Sequence, residues 1–85
     1  MIRVLLVDDH AILRAGLCQM LAETHDIVVA GDVGSGQAAL DRIRSQPCDV
    51  VVLDLTLPDR SGMDILQHIK SENPELPVLD RKSVV

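Results

Sequence analysis

Phenylalanine, tyrosine and tryptophan are all absent from this 85-residue chain. Any core must therefore be built from Val, Leu, Ile, Ala and Met, which is feasible because 47% of the residues are hydrophobic. A chain of this length is one domain at most and buries only about 60–65% of the surface exposed on unfolding, so its stability is marginal. Cysteine is scarce as well. Cys18 and Cys48 lie far apart with no Cys-x-x-Cys motif, which argues against a disulfide framework or a zinc site and for two reduced, half-buried thiols. No apolar run approaches the ~20 residues that span a bilayer. The opening MIRVLLVDDH is no secretory signal, because its short apolar run ends in two carboxylates. The expectation is a cytoplasmic protein that does not engage a membrane.

Basic residues are in the minority, 8 against 13 acidic ones, for a net charge of −5. Such a surface repels a phosphate backbone, so the segment itself is a poor nucleic-acid binder. All the acidic residues except Glu23, Glu72 and Glu75 are aspartates, and Asp8, Asp9 and Asp54 stand at the ends of apolar runs.

Ile2–Val7 reads as a strand whose positions are apolar in succession rather than alternately, as expected of a strand covered on both faces. A helix follows from His10 to about Ala22, with Leu13, Leu17, Met20 and Leu21 as its buried stripe and Gly16 weakening it slightly. A short strand, Ile27–Ala30, precedes the turn Gly34-Ser35-Gly36, where Ser35 can cap a helix reaching about Arg44 with Ala39, Leu40 and Ile43 inward. Pro47 ends that stretch. Val50–Leu55 forms a third strand around Asp54, and Pro58 and Gly62 bracket a loop. A third helix, Gly62–Ser71, carries Ile65, Leu66 and Ile69 before Pro74 stops it, and Pro77-Val78-Leu79 opens a fourth strand. The order β-α-β-α-β-α-β with short connections predicts a parallel α/β sheet with right-handed crossovers. Asp80-Arg81-Lys82 breaks the apolar rhythm, so residues 1–79 read as the domain segment and 80–85 as a tail out of keeping with it.

In an open parallel sheet, ligands bind at the strand C-termini where the strand order reverses. If the first and third strands are neighbours there, Asp8, Asp9 and Asp54 converge. Three clustered carboxylates repel one another unless a cation joins them, and a hard divalent ion such as Mg²⁺ suits oxygen donors. The cluster predicts a Mg²⁺-dependent phosphate site with Asp54 as nucleophile, since a carboxylate attacking a phosphoryl group yields an aspartyl phosphate. The competing explanation is local: an Asp after a strand is commonly a turn former, and Asp9 could cap the first helix. Capping does not account for two consecutive acids, nor for an acid inside Val-Val-Val-Leu-Asp-Leu, where an unpaired charge is costly.

The segments Leu-Leu-Val-Asp8-Asp9-His10 and Val-Leu-Asp54-Leu-Thr56-Leu-Pro58-Asp-Arg-Ser-Gly62 resemble the receiver domains of two-component response regulators. The likeness covers Met1 to about Leu79. The Asp-Asp-His start followed by Leu13-Arg14-Ala15-Gly16-Leu17 is similar to the NarL/FixJ subfamily, whose members usually carry a LuxR-type helix-turn-helix after the receiver. The resemblance implies a flavodoxin-like, CheY-like parallel sheet with helices on both faces, incomplete here. It implies phosphorylation of Asp54 by a sensor histidine kinase, with a signalling rather than an enzymatic role. It also implies Mg²⁺ bound directly by Asp9, by Asp8 directly or through water, and by Asp54 and the backbone carbonyl of Thr56. DNA binding would belong to a C-terminal output domain outside this chain, for transcription regulation. Family receivers also carry a Thr or Ser ending a fourth strand and a Lys ending a fifth. Neither role transfers to Ser83 or Lys82, whose surroundings do not match.

Two other functions remain open on the sequence alone. A haloacid-dehalogenase-type phosphohydrolase also places a nucleophilic Asp after an apolar strand, but it needs a second Asp two positions on, where this chain has Thr56. A receiver-like interaction module that never switches is the other. His10 reads as a solvent-facing helix start, or else as a fourth ligand for a softer metal, and His25 and His68 read as surface residues without acidic or cysteine neighbours at ligand spacing.

Overall fold

Ile2–Val7 (β1) hydrogen-bonds a parallel neighbour on each edge: Ile27–Val33 (β2) on one side and Val50–Asp54 (β3) on the other. Val78–Arg81 (β4) pairs with β3, giving the order β2-β1-β3-β4, all parallel. Helices Ala11–Ala22 (α1), Gly36–Ser45 (α2) and Gly62–Glu72 (α3) make the crossovers. The computed structural model describes residues 1–54 and 62–81. Leu55, Thr56 and Pro58 therefore lie outside the described residues, as do residues 82–85.

The apolar continuity of β1 and β3 follows from this placement. Val4, Leu5, Leu6 and Val7 are all buried, and so are Val51 and Leu53. Side chains alternate faces along a strand. Leu5, Val7, Val51 and Leu53 meet Ala39 and Leu40 of α2 and Ile65 and Ile69 of α3 in one cluster, with Ile43, Leu66, Leu76 and Val78 around it. Right-handed crossovers put α1 on the opposite face, because β2 lies on the other side of β1 from β3. Ser35 caps α2 as its sequence position predicts, its hydroxyl accepting from the Ala38 N–H at 3.2 Å.

Two expectations need correction. The stripe on α1 is not buried: Leu17 and Leu21 are half-buried, while Leu13 is 38% and Met20 66% exposed. α1 packs against β2 and has no helix beside it among the described residues, so only the innermost edge of its stripe is covered. β2 runs three residues past Ala30, because the ladder to β1 shifts register between Val4 and Leu5 and re-forms through Gly31, Asp32 and Val33. Gly31 suits this edge, since a Cβ there would come within 2.6 Å of the Arg42 guanidinium, which donates to the Ala30 carbonyl. β4, finally, continues through Asp80 and Arg81, whose backbones pair opposite Leu53 and Asp54. The backbones of Asp80 and Arg81 are thus part of the strand, which has a neighbour on one side only among the described residues.

At the opposite end of the sheet, Asp49 joins the starts of β1 and β3. Its carboxylate accepts from the Arg3 backbone N–H at 2.7 Å and from the Arg3 guanidinium at 3.2 and 3.3 Å, and its own N–H donates to the Arg3 carbonyl. The guanidinium first, and then the backbone N–H, hold the Asp49 carboxyl below its ordinary value of 3.8. A carboxyl depressed in the folded state stabilises the fold above its unfolded pKa, and that contribution disappears as pH falls through the folded value. In an NMR titration, Asp49 is therefore expected to titrate below the normal aspartate range. Arg3→Leu is expected to move it only part of the way back, because the backbone N–H remains. An unchanged Asp49 titration in Arg3→Leu would show that the guanidinium contributes nothing.

Candidate functional site

Val7 of β1 lies in register with Leu53 of β3, so the residues that follow, Asp8 and Asp54, stand side by side at the C-terminal edge of the sheet. The strand order reverses there, between β1 and β3, which is where the sequence places the site. Asp8 and Asp54 are both buried, at 3% and 1% exposure. Asp9 turns outward, its side chain about a quarter exposed, and His10 is half-exposed.

The four residues converge. One ligand atom from each of Asp8, Asp9, His10 and Asp54 fits within a 4.8 Å span. His10 Nδ1 is 3.0 Å from Asp8 Oδ1, 3.1 Å from Asp9 Oδ1 and 3.6 Å from Asp54 Oδ2. The His10 backbone N–H also donates to Asp8 Oδ1 at 2.8 Å. Its hydrogen bond with Asp8, followed by the charge of Asp9, raises the imidazole pKa above its ordinary value.

The local reading of Asp9 as a helix cap does not hold, since the residue preceding α1 is His10, and its side chain makes no capping bond either. His10 itself is not simply solvent-facing; its ring edge turns into the acid cluster. His68, too, has an acidic neighbour, with Nδ1 3.6 Å from Asp64 across one turn of α3. His25 is exposed, as expected. Gly62 is buried where α3 begins, and Thr56 and Pro58 lie outside the described residues. Cys18 and Cys48 are free thiols, and burial raises both above the ordinary thiol range.

Arg14 is the site residue the sequence reading missed. One turn into α1, its guanidinium donates to the Asp8 carbonyl and pairs with Asp32 at 3.0 Å, tying the β1–α1 turn to the end of β2. The signal was the cation itself, four positions after His10 on a helix with no other charged residue.

The fold and its acid cluster define a class: a parallel α/β domain of the flavodoxin-like kind with carboxylates gathered at its switch point. Residues 4–80 match the family model described as the response regulator receiver domain. The chain belongs to that family. It is 47% identical over 79 residues to the probable transcriptional regulatory protein TcrX of Mycobacterium tuberculosis, covering 92% of this chain and 32% of that protein. It is 38% identical to the DNA-binding transcriptional activator DevR/DosR of the same organism, covering 93% of this chain and 36% of the relative. A protein-glutamate methylesterase/protein-glutamine glutaminase of Bacillus licheniformis is 40% identical, with 93% and 22% covered. Among solved structures, a LuxR-family response regulator from Aurantimonas sp. superposes with a TM-score of 0.89 at 29% identity, over 98% of this chain and 59% of that one. The chain spans about a third or less of the length of these curated relatives. The receiver is a signalling domain, and the relatives' names show it joined both to transcriptional regulators and to an enzyme. No helix among the described residues is long and apolar enough to cross a membrane.

Proposed function

We propose that this chain is the phosphoacceptor module of a two-component phosphorelay, with Asp54 taking the phosphoryl group from a sensor histidine kinase. The observation that carries this reading is the burial of Asp54 at the end of β3 beside Asp8 and Asp9, within a family-assigned receiver fold. One Asp54 carboxylate oxygen attacks phosphorus. The new O–P bond forms as the bond from phosphorus to the kinase imidazole breaks, and the electron pair leaves with the imidazole nitrogen. The product is an aspartyl phosphate.

The donor set fits Mg²⁺, because three carboxylates brought together at the mouth of the sheet call for a hard cation with oxygen ligands. Asp8, Asp9, Asp54 and the backbone carbonyl of Thr56 would hold it. When bound, the ion supplies positive charge that offsets the charge of the transferring group. In support, Asp8 follows the end of β1 and accepts from the His10 N–H, while Arg14 donates to the Asp8 carbonyl and ties down the turn.

The rest of the reading concerns the longer protein. Its output is a DNA-binding helix-turn-helix domain following this segment, as in the NarL/FixJ subfamily, and it acts in the cytoplasm as a transcription regulator. The chain itself is no enzyme, since the only group transferred is the one it accepts. Residues 1–79 constitute the receiver segment in this reading and 80–85 a tail, although β4 already takes in Asp80 and Arg81. The phosphohydrolase alternative gains no support from the family assignment, and the position where it needs a second Asp is Thr56.

The test is intact-mass spectrometry after incubation with acetyl phosphate and Mg²⁺. The wild-type chain is expected to gain one phosphoryl group and Asp54→Asn none. Equal labelling of the Asn variant would remove Asp54 from its role, and steady hydrolysis of a generic phosphate ester would restore the enzyme reading.

A further inference from the structure

We propose that His10 is a metal ligand that sets the ion preference of the acid cluster, giving this site an affinity for borderline first-row dications such as Co²⁺, Ni²⁺ and Zn²⁺ beyond that of a purely carboxylate site. The inference rests on the reading of Asp8, Asp9 and Asp54 as a cation site and adds a nitrogen donor to it.

The geometry points this way. An octahedral ion with bonds of about 2.1 Å sets adjacent donors about 3.0 Å apart and opposite donors about 4.2 Å apart. His10 Nδ1 is already 3.0 Å from the Asp8 oxygen and 3.1 Å from the Asp9 oxygen, the spacing of adjacent ligands on one ion. Its 3.6 Å distance to Asp54 Oδ2 falls between the adjacent and the opposite values. The ring is held toward the cluster by its own hydrogen bond with Asp8 Oδ1, and the side chain makes no helix-capping bond, so the nitrogen is already presented beside the carboxylates. The backbone N–H of His10, anchored on Asp8, leashes the ring to the cluster, while its half-exposed face leaves the imidazole room to turn onto an ion.

Ligand chemistry gives the consequence. Imidazole nitrogen suits Co²⁺, Ni²⁺ and Zn²⁺, whereas Mg²⁺ takes oxygen donors and keeps its waters. Mg²⁺ would therefore leave His10 unbound, and a borderline ion would engage it together with the carboxylates.

The experiment titrates the chain separately with Co²⁺ and Mg²⁺, comparing wild type, His10→Ala and Asp9→Asn. Co²⁺ is followed by its visible absorption and by paramagnetically shifted imidazole proton resonances, and Mg²⁺ by calorimetry. His10→Ala is expected to weaken Co²⁺ binding at least roughly 10–100-fold, the loss that follows removal of even an outer-shell partner of a metal. It is expected to leave Mg²⁺ affinity nearly unchanged and to abolish the shifted imidazole signals. Asp9→Asn is expected to weaken both ions. Equal effects of His10→Ala on the two ions, or none, would overturn the proposal while leaving the acid site standing, as would wild-type Co²⁺ spectra without imidazole signals. If the wild type binds neither ion, the acid-cluster reading fails and takes this one with it. Circular dichroism of metal-free His10→Ala beside wild type separates a lost ligand from a lost fold, and a native spectrum at the titration temperature is expected.

Discussion

Leu53→Ala is expected to remove about 2–5 kcal/mol of stability, the range for truncating a fully buried leucine. A chain of this length has a total of roughly 4–13 kcal/mol to lose. The low end applies here, because no aromatic residue adds bulk to the core and, among the described residues, one face of the sheet is covered only by α1. Leu53 is completely buried, lies in register with Val7 of β1 and Asp80 of β4, and belongs to the cluster that joins the sheet to α2 and α3. Leu53 immediately precedes Asp54 in β3, so unfolding of the strand would take the site with it. Urea unfolding followed by circular dichroism should show the midpoint falling to half its wild-type value or lower. Met20→Ala, on the exposed side of α1, should stay within about 0.5 kcal/mol of wild type. Similar costs for the two substitutions would mean that the α2–α3 face is not the principal core.

What the sequence revealed, and what it concealed, divides along physical lines. β1 and β3 were legible because central parallel strands are buried on both faces and cannot alternate, which leaves an unbroken apolar run. The acids were legible for the same reason: a carboxylate that interrupts or ends such a run stands out. Asp8, Asp9 and Asp54 do converge, because the reversal of strand order between β1 and β3 is a matter of topology, and topology follows from the β-α alternation. Ser35 was legible through local hydrogen-bonding chemistry.

The misses were non-local. Periodicity marks an apolar stripe on α1 but cannot say how much surface is available to cover it, so Leu13 and Met20 belong to the stripe and yet stay exposed. The extra length of β2 depends on a register shift against β1 that no property of Gly31-Asp32 announces. The turn of His10 into the cluster is set by hydrogen bonds from its backbone N–H and its ring Nδ1 to Asp8, and Arg14 reaches a carbonyl six residues back. Both are consequences of how tightly the β1–α1 connection folds, which a motif does not encode.

A large Mg²⁺-dependent gain in stability is the second expected result, and Asp9→Asn should abolish it. An ion that binds only the folded chain stabilises it by RT ln(1 + [L]/Kd), about 2.7 kcal/mol at a hundredfold excess over Kd. In a domain of this size that corresponds to a rise in Tm of about 10–20 °C. The gain requires the carboxylates to be assembled only in the folded state. Asp8, Asp9 and Asp54 meet that condition, since two come from the end of β1 and one from the end of β3, and only sheet pairing brings them within one ion's reach. Asp9 is the informative position to change. It is the most exposed of the three carboxylates, so its amide equivalent leaves the core intact while removing one charge from the metal's neighbourhood. The same change takes one like charge away from Asp8 and Asp54, although it also ends the Asp9–His10 ion pair. Without metal, Asp9→Asn is therefore expected to melt close to wild type. Differential scanning calorimetry over a Mg²⁺ series, with Ca²⁺-free buffer at fixed ionic strength, separates the site from general screening. If Mg²⁺ raises the Tm of Asp9→Asn as much as that of wild type, Asp9 is not a ligand and the ion acts elsewhere. If it raises neither, the three aspartates are assembled for something other than a divalent cation, and the phosphoacceptor reading of Asp54 loses the ion on which its chemistry relies.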